Sequence, residues 1–494
     1  MARGKRGEGR GHAMSRLGAA TLLAVLAAGA AVGGCVRALD DDTMIPLMSL
    51  REEEEIGRLQ HPRMLAAFGG AYDDRALDQY VGELTVRLIE RSGSPNAVRS
   101  VTVLDSPSVN AFALPGGYIY VTRGLLALAS DEAELATVIA HEVGHVEARH
   151  PAKRIARLAS AEMLDSVFGR IIGGGEADQI TELGSEGYIA HYSRIQELEA
   201  DALGIRAASA AGFDPVAALS FLDAMERDQE LQARLMRKQR ARDAEADYMT
   251  AHPPTPARRE AASKVVDDIG RGGERRRDTY LAHLDGMIYG DSPDKGIVRG
   301  RGVFHPELGF TFQMPPGYVI HNRPSAIVAI GEGKKLILFD GADISASTSL
   351  KEFVERDWAS ALAIHSLERM TLNGLDAVSA YAPLGHRDVR LVAIRFDRTQ
   401  VYRFIVIGGP GSLAGFGGEV AELAQSFRRL SREEARGVRP LRIRIHTVRD
   451  GDSVESLAAT MPFATDRLER FRVLNNLDEK ARIYPGQTVK LIAG

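Results

Sequence analysis

The chain of 494 residues has a single cysteine, Cys35, and a single tryptophan, and aromatic residues make up only 6% of it. A disulfide within one chain is therefore impossible. Charge of neither sign dominates, because the formal net charge is only −4, and this balance gives no support for a nucleic-acid-binding role. An apolar content of 45% is typical of a soluble globular protein rather than a polytopic membrane protein. The length predicts two to four domains.

The first 34 residues have the pattern of a secretory signal sequence. Basic residues precede an apolar run at 17–32, which is rich in Ala and Leu and short for a membrane span. The run ends at Val32-Gly33-Gly34-Cys35, which resembles the lipobox of bacterial lipoproteins. The resemblance implies a signal peptide at 1–34, acylation of Cys35 and a lipid-anchored protein facing the periplasm. A plain signal peptide cut near Gly34, or an uncleaved anchor, is the alternative.

The remaining sequence changes character along its length. A tether at 35–49 precedes a mostly helical region at 50–270, which an extended stretch interrupts at 101–122. Short alternating runs separated by Gly and Pro turns then predict an α+β domain at 300–430, in which we find no catalytic residues. A small unit at 441–494 follows a linker. We therefore predict a multidomain chain that begins with a mainly α-helical domain containing a small sheet.

The main chemical motif is His141-Glu142-Val143-Gly144-His145, within a helix predicted to begin at Asp131. Residues four apart on a helix share a face, so the imidazoles of His141 and His145 can bind one metal ion. Glu142 lies about 100° further round the helix axis. That position suits a general base acting on water beside the metal better than a ligand. Two surface histidines on an amphipathic helix are the alternative interpretation.

A catalytic zinc ion needs a third protein ligand and an open fourth position. One known pattern takes a third histidine from further along the chain, but its glycine and histidine positions are occupied by Ala148 and Pro151. The segment 193–201, on a second predicted helix, offers Glu197 and Asp201 on one face. We predict that Glu197 binds the metal and that Asp201 accepts from the other ring nitrogen of a zinc histidine. A solvated helix face is the alternative for either carboxylate.

Together these motifs resemble the gluzincin metalloproteases of the BepA-like and HtpX-like type, a family that also includes the CAAX prenyl proteases. The resemblance covers roughly residues 50–265. Its carriers, in the order of the family, are the segments 69–74, 110–117, 141–145, 193–201 and 252–256. It implies one Zn²⁺ per chain, bound by His141, His145 and Glu197, with Glu142 as the general base.

The resemblance also gives two further segments a role. Asn110, Ala111, Phe112 and Ala113 would form a sheet edge beside the cleft, to which an extended substrate could add by backbone hydrogen bonds. An ordinary hairpin is the alternative. His252 corresponds to a histidine that some periplasmic relatives use as a removable fourth zinc ligand, and a plain loop histidine is the alternative.

Three nearby residues receive no role in this interpretation. Glu199 is predicted to point away from the metal. His150 and His191 have no part in the family pattern and are interpreted as structural.

The C-terminal unit resembles a LysM module, a strand-helix-helix-strand unit that binds glycans containing N-acetylglucosamine. Its glycan contacts would lie in the loops at 450–453 and 475–484, which makes peptidoglycan a candidate partner. A fold used only for packing is the alternative.

These patterns predict a zinc metalloendopeptidase of the bacterial cell envelope, periplasmic and membrane-anchored, that cleaves misfolded or misassembled proteins. A hydrolase of cell-wall peptide cross-links is one alternative. A chaperone or scaffold without turnover is the other, and the intact metal motif argues against it.

Overall fold

A computed structural model describes residues 48–93, 96–158, 192–239 and 252–494. The predicted signal peptide at 1–34, the predicted lipidation site at Cys35 and almost all of the predicted tether lie outside the described residues. Of the helices that the structure describes, none combines the length and the apolar character required to cross a bilayer.

The first part of the fold is mainly helical and surrounds a small sheet. The helices are α1 Leu50–Ala67, α2 Arg75–Ile89, α3 Arg123–Leu128, α4 Glu132–Glu147, α5 His150–Leu158, α6 Arg194–Ala210, α7 Val216–Gln239, α8 Pro256–Ile269 and α9 Arg277–Leu284. The strands are β1 Ser100–Leu104, β2 Ala111–Leu114 and β3 Tyr118–Thr122. The sheet has the order β1-β3-β2, with β1 parallel and β2 antiparallel to β3, so β2 lies at an edge among the described strands.

Side-chain caps fix where the helices around the site begin. Asp131 accepts a hydrogen bond from the backbone of Glu134 at the start of α4. Ser193 forms a capping box at the start of α6, and Thr255 caps α8, whose first residue is proline. Such caps satisfy backbone N–H groups that have no partner within the helix. They therefore fix the residue at which each of these helices begins.

The second part of the fold is rich in β-strands, with a core of its own. Its strands are β5 Ile297–Arg299, β6 Gly302–His305, β7 Phe310–Gln313, β8 Val319–Asn322, β9 Ile327–Gly331, β10 Lys335–Asp343, β11 Ser366–Leu372, β12 Leu375–Leu384, β13 Arg387–Arg395, β14 Gln400–Gly408 and β15 Arg428–Arg429. Its helices are α10 Leu350–Glu352, α11 Gly418–Ser426 and α12 Arg432–Gly437. The described sheets have the orders β11-β12-β13-β14-β10-β9-β8 and β15-β7-β6-β5. A helical region followed by a sheet-rich region agrees with the predicted fold class.

The C-terminal unit contains β16 Leu441–Thr447, α13 Val454–Thr460, α14 Arg467–Leu474 and β17 Thr488–Ala493. The strands pair antiparallel, and the short strand β4 Ile288–Tyr289 adds to the free side of β16. The order strand, helix, helix, strand is the one that the sequence predicted, whereas the likeness to LysM modules stays a prediction. Buried side chains of this unit, including Ile443 and Phe471, belong to the same hydrophobic core as those of the helical region. The C-terminal unit and the helical region therefore share one hydrophobic core.

Lys490 of β17 extends this contact into the helical region. It is fully buried, and its Nζ donates to the backbone oxygens of Ala127 at 2.6 Å and Ala129 at 2.7 Å, at the end of α3. These carbonyls have no partner within their own helix, and Lys490 satisfies them. The segment leads directly into Asp131, the cap of α4. The C-terminal unit thus supports the start of the helix that carries the metal motif.

Candidate metal centre

Helices α4 and α6 lie very close together because glycines line their contact. A Cβ added to Gly204 of α6 would stand 2.7 Å from the backbone nitrogen of His141. A Cβ added to Gly144 of α4 would stand 3.1 Å from the backbone oxygen of Ala200. Position 204 therefore requires a residue without a side chain. The close contact brings imidazoles of α4 within reach of carboxylates of α6.

Four buried side chains from α4, α6 and the loop before α8 converge: His141, His145, Glu197 and His252. Their potential ligand atoms all lie within 4.8 Å of one another. The Nε2 atoms of His141 and His145 are 2.9 Å apart, and Glu197 Oε1 lies 3.5 Å from His145 Nε2. His252 Nδ1 lies 2.8 Å from Glu197 Oε1. Nitrogen and carboxylate donors in this number are typical of a zinc site.

The surroundings of Glu142 show whether a metal ion and a water molecule would fit in the cluster. It is fully buried, and neither carboxylate oxygen has a hydrogen-bond partner among the described residues. Its Oε1 lies 3.7 Å from His252 Nε2, beyond hydrogen-bond distance. Burial raises the pKa of Glu142, although the nearby His252 and His141 act to lower it. A buried carboxylate without a donor is costly unless water or a cation meets it, so the residues fit the ion.

Asp201 and Arg258 hold one side of the cluster. Asp201 Oδ1 lies 2.9 Å from His141 Nδ1, the ring nitrogen that faces away from the cluster. Arg258 is buried and donates to both carboxylate oxygens of Asp201, at 2.7 and 2.8 Å. Burial opposes the charged form of Asp201, but Arg258 and His141 hold its pKa well below the usual range. The structure thus places Asp201 where the sequence predicted it, although its function stays a prediction.

Arg258 also reaches two residues of the cluster itself. Its Nη1 lies 3.0 Å from Glu197 Oε2 and donates to the backbone oxygen of His252 at 2.9 Å. Arg258 was not among the site residues predicted from the sequence. The available signal was its place in the first turn of α8, six residues after His252.

On the other side of the cluster, His150 and Tyr192 contact His145. His150 Nδ1 lies 2.9 Å from His145 Nδ1, and the ring of Tyr192 stacks on that of His145 with centroids 4.0 Å apart. Burial lowers the pKa of His145 well below its ordinary value and that of His150 to about 4. Burial thus favours the neutral form of both imidazoles, which is the form in which His145 could bind a metal. The sequence assigned no role to His150, and His191 lies outside the described residues.

The predicted substrate edge lies beside the metal motif. Ala111, Phe112 and Ala113 belong to β2, which pairs with β3 on one side and packs against α4. Asn110 precedes the strand. Its side-chain amide is fully buried, with no hydrogen-bond partner among the described residues. The location agrees with the prediction, whereas substrate binding by this edge stays a prediction.

Comparison with known proteins identifies the region that carries the cluster. Residues 75–266 match the model of the family described as Peptidase family M48. This part of the chain is an M48 peptidase domain. Every residue of the metal cluster lies within it, and zinc is the metal of the family, so the predicted cofactor is confirmed. The match ends before the sheet-rich region and the C-terminal unit.

Among the curated relatives of the M48 domain are proteases from mitochondria and from bacteria. Mitochondrial metalloendopeptidase OMA1 of Schizosaccharomyces pombe is 35% identical over 162 residues, which are 31% of this chain and 48% of that protein. The β-barrel assembly-enhancing protease of Escherichia coli K12 is 29% identical over 185 residues, 36% of this chain and 38% of that protein. A putative protease of the same name from Vibrio cholerae is 32% identical over 161 residues, 31% of this chain and 33% of that protein. The chain spans less than half the length of these relatives.

Proposed function

We propose that the chain is a zinc-dependent endopeptidase of the bacterial cell envelope that cleaves misfolded or misassembled proteins. One observation carries the proposal. Three buried side chains that can bind a metal, His141, His145 and Glu197, converge beside Glu142, a buried carboxylate without a hydrogen-bond partner among the described residues. The relatives support it, since they are named as a metalloendopeptidase and as proteases that enhance β-barrel assembly. The signal-like sequence at 1–34 and the lipobox-like Cys35 favour a periplasmic, membrane-anchored location.

Each residue of the cluster has a separate role in the proposed reaction. A bound zinc ion supplies Lewis-acid chemistry, which activates water and polarises a carbonyl group. Glu142 takes a proton from the attacking water and passes it to the leaving amine. Asp201 Oδ1 lies 2.9 Å from His141 Nδ1 and would hold the ring proton on that nitrogen, so that Nε2 keeps its lone pair toward the cluster. Arg258 holds Glu197 and Asp201 in place.

The substrate backbone is positioned by the edge strand in this proposal. An extended peptide would add along Asn110, Ala111, Phe112 and Ala113, as a further strand on the side of β2 that pairs with no described strand. Because β2 packs against α4, a peptide on this edge would run alongside the helix that carries Glu142. Recognition through backbone groups demands little of the side chains, which suits a protease for unfolded segments.

A second candidate function has one observation in its favour. The order strand, helix, helix, strand in the C-terminal unit is that of a glycan-binding LysM module, so peptidoglycan is a candidate partner. The substrate would then be a peptide cross-link of the cell wall.

The choice of substrate separates these functions from each other, and removing the metal tests whether cleavage depends on zinc. We expect the purified chain to cleave casein. A chelator such as 1,10-phenanthroline should stop cleavage and added zinc should restore it, because activation of the water depends on the metal ion. Gel electrophoresis of casein and chromatography of digested murein are the measurements. Cleavage of murein alone would establish the second candidate. A zinc-loaded chain that cleaves neither substrate would contradict both.

His252 gives a further prediction, because we propose that it is a removable fourth ligand. Its Nδ1 lies 3.3 Å from His141 Nε2 and 2.8 Å from Glu197, where it would compete with water or substrate. We expect His252→Ala to raise kcat/KM for casein about tenfold, equivalent to shifting a closed–open balance by about 1.4 kcal/mol. His386→Ala, at an exposed turn, is the control. Loss of zinc and of activity in His252→Ala would instead make His252 an indispensable ligand.

A further inference from the structure

Helix α4 ends in a turn that folds the next residue back toward the metal cluster. Arg149 has a left-handed backbone conformation, with φ of 56°, which is uncommon for a residue with a side chain. It is held there by a hydrogen bond from its Nε to Glu53 Oε1 at 2.7 Å. The reversal places His150, which is fully buried, beneath His145 of the preceding helix. This position results from the turn rather than from helical spacing.

The geometry determines which nitrogen of His145 carries a proton. Its Nε2 faces the cluster, 2.9 Å from His141 Nε2, so Nε2 is the atom available to a metal. A neutral imidazole that binds metal through Nε2 carries its proton on Nδ1, and that N–H needs an acceptor. His150 Nδ1 lies 2.9 Å from it. His150 can therefore accept this hydrogen bond only in the form whose own proton is on Nε2.

Glu199 favours that form of His150. Its Oε2 lies 3.3 Å from His150 Nε2, where a carboxylate accepts and cannot donate. The carboxylate is half exposed, whereas His150 is buried. A chain of two hydrogen bonds thus runs from the cluster toward the surface, from His145 through His150 to Glu199. On the other side of the cluster, His141 reaches its carboxylate directly, at Asp201.

We propose that His150 is a positioning residue for His145, and that Glu199 holds His150 in the tautomer this requires. The inference rests on the proposed function only in taking His145 as a zinc ligand. Neither residue touches the metal. Their effect is to orient the ring of His145 and to keep its Nε2 lone pair available.

Zinc affinity of the full chain, measured by competition with a fluorescent chelator, tests this without any substrate. We expect His150→Ala to weaken zinc binding about 10- to 100-fold, and His150→Gln, whose side-chain carbonyl can accept from His145, to recover part of the loss. Glu199→Ala should weaken it by a smaller factor. Arg206→Gln, an exposed change on the same helix, is the control. The absorption spectrum of the cobalt-substituted protein should change in His150→Ala but not in the control.

A double-mutant cycle decides whether the two residues act in sequence. If Glu199 acts through His150, then Glu199→Ala should have no further effect on zinc affinity in a His150→Ala background. Additive losses would overturn the relay. Unchanged affinity in Glu199→Ala, an exposed position that should not impair folding, would overturn the role of Glu199. His145→Ala separates the two proposals: if it leaves zinc affinity unchanged, the proposed metal site itself is wrong, whereas loss there with none in His150→Ala contradicts only this inference.

Discussion

Replacing Glu142 with glutamine should abolish casein cleavage while leaving zinc bound. Glutamine has nearly the same shape as glutamate, so the fully buried site should keep its packing. It cannot take a proton from water at neutral pH, and general base catalysis contributes about 10²- to 10⁴-fold to such reactions. We therefore expect kcat to fall by at least that factor. Zinc content, measured by atomic emission on the same sample, should stay near one ion per chain.

Glu147→Gln is the matched control, because Glu147 is the last residue of the same helix and lies outside the metal cluster. It should keep its activity. A Glu142→Gln variant that cleaves casein at the rate of the unmodified chain would contradict the assignment of the general base. If that variant lacked cleavage yet fully replaced the unmodified protein in cells, a chaperone or scaffold function would be favoured.

Truncation of the chain after Val438 should unfold the peptidase domain, although the removed residues lie far along the sequence from the metal motif. The removed core residues include Ile443, Phe471, Val489 and Ile492, all of which pack in the core of the helical region. Each buried apolar side chain of this kind contributes about 1.5–3 kcal/mol, and whole domains are stable by only about 5–15 kcal/mol. Thermal unfolding followed by circular dichroism should lose its cooperative transition, and zinc binding should be lost with it.

Single substitutions within the C-terminal unit should lower the stability of the peptidase core by smaller amounts than the truncation. Phe471→Ala should destabilise the whole peptidase core by about 3–5 kcal/mol, since Phe471 is fully buried. Tyr484→Ala, with 65% of that residue exposed, should leave stability unchanged and is the control. A truncated chain that unfolds at the same temperature and binds zinc normally would show that the C-terminal unit is an independent attachment.

The metal motif could be predicted because its information is local. The four-residue spacing of His141 and His145 places both rings on one face of any helix, whatever surrounds it. Glu197 required more, namely a second helix with carboxylates at the right spacing and a resemblance between several segments and a known family. In both cases helical periodicity was sufficient to identify the face of the helix.

Contacts that depend on the packing of distant segments could not be predicted. Arg258 reaches Asp201 and Glu197 only because α8 packs against α6. The periodicity of the sequence does not predict which helices pack together. His150 contacts His145 through the left-handed turn at Arg149, a conformation that arginine seldom adopts. The division of the chain into successive domains likewise gave no indication that Lys490 would be buried against the helical region.

Position 204 has no side chain that could bind metal or substrate, yet it controls the distance between the two helices that would hold the ion. The atoms nearest to a Cβ there belong to the backbone of Ala140 and His141, which cannot rotate aside. One added carbon would have to move the helix with two histidines away from the helix with Glu197, and zinc sites tolerate only about 0.2 Å of error in each bond. Transplanting this centre into another scaffold, or adapting it to a larger ion, would therefore begin with the spacing of two helices and only then turn to the ligands.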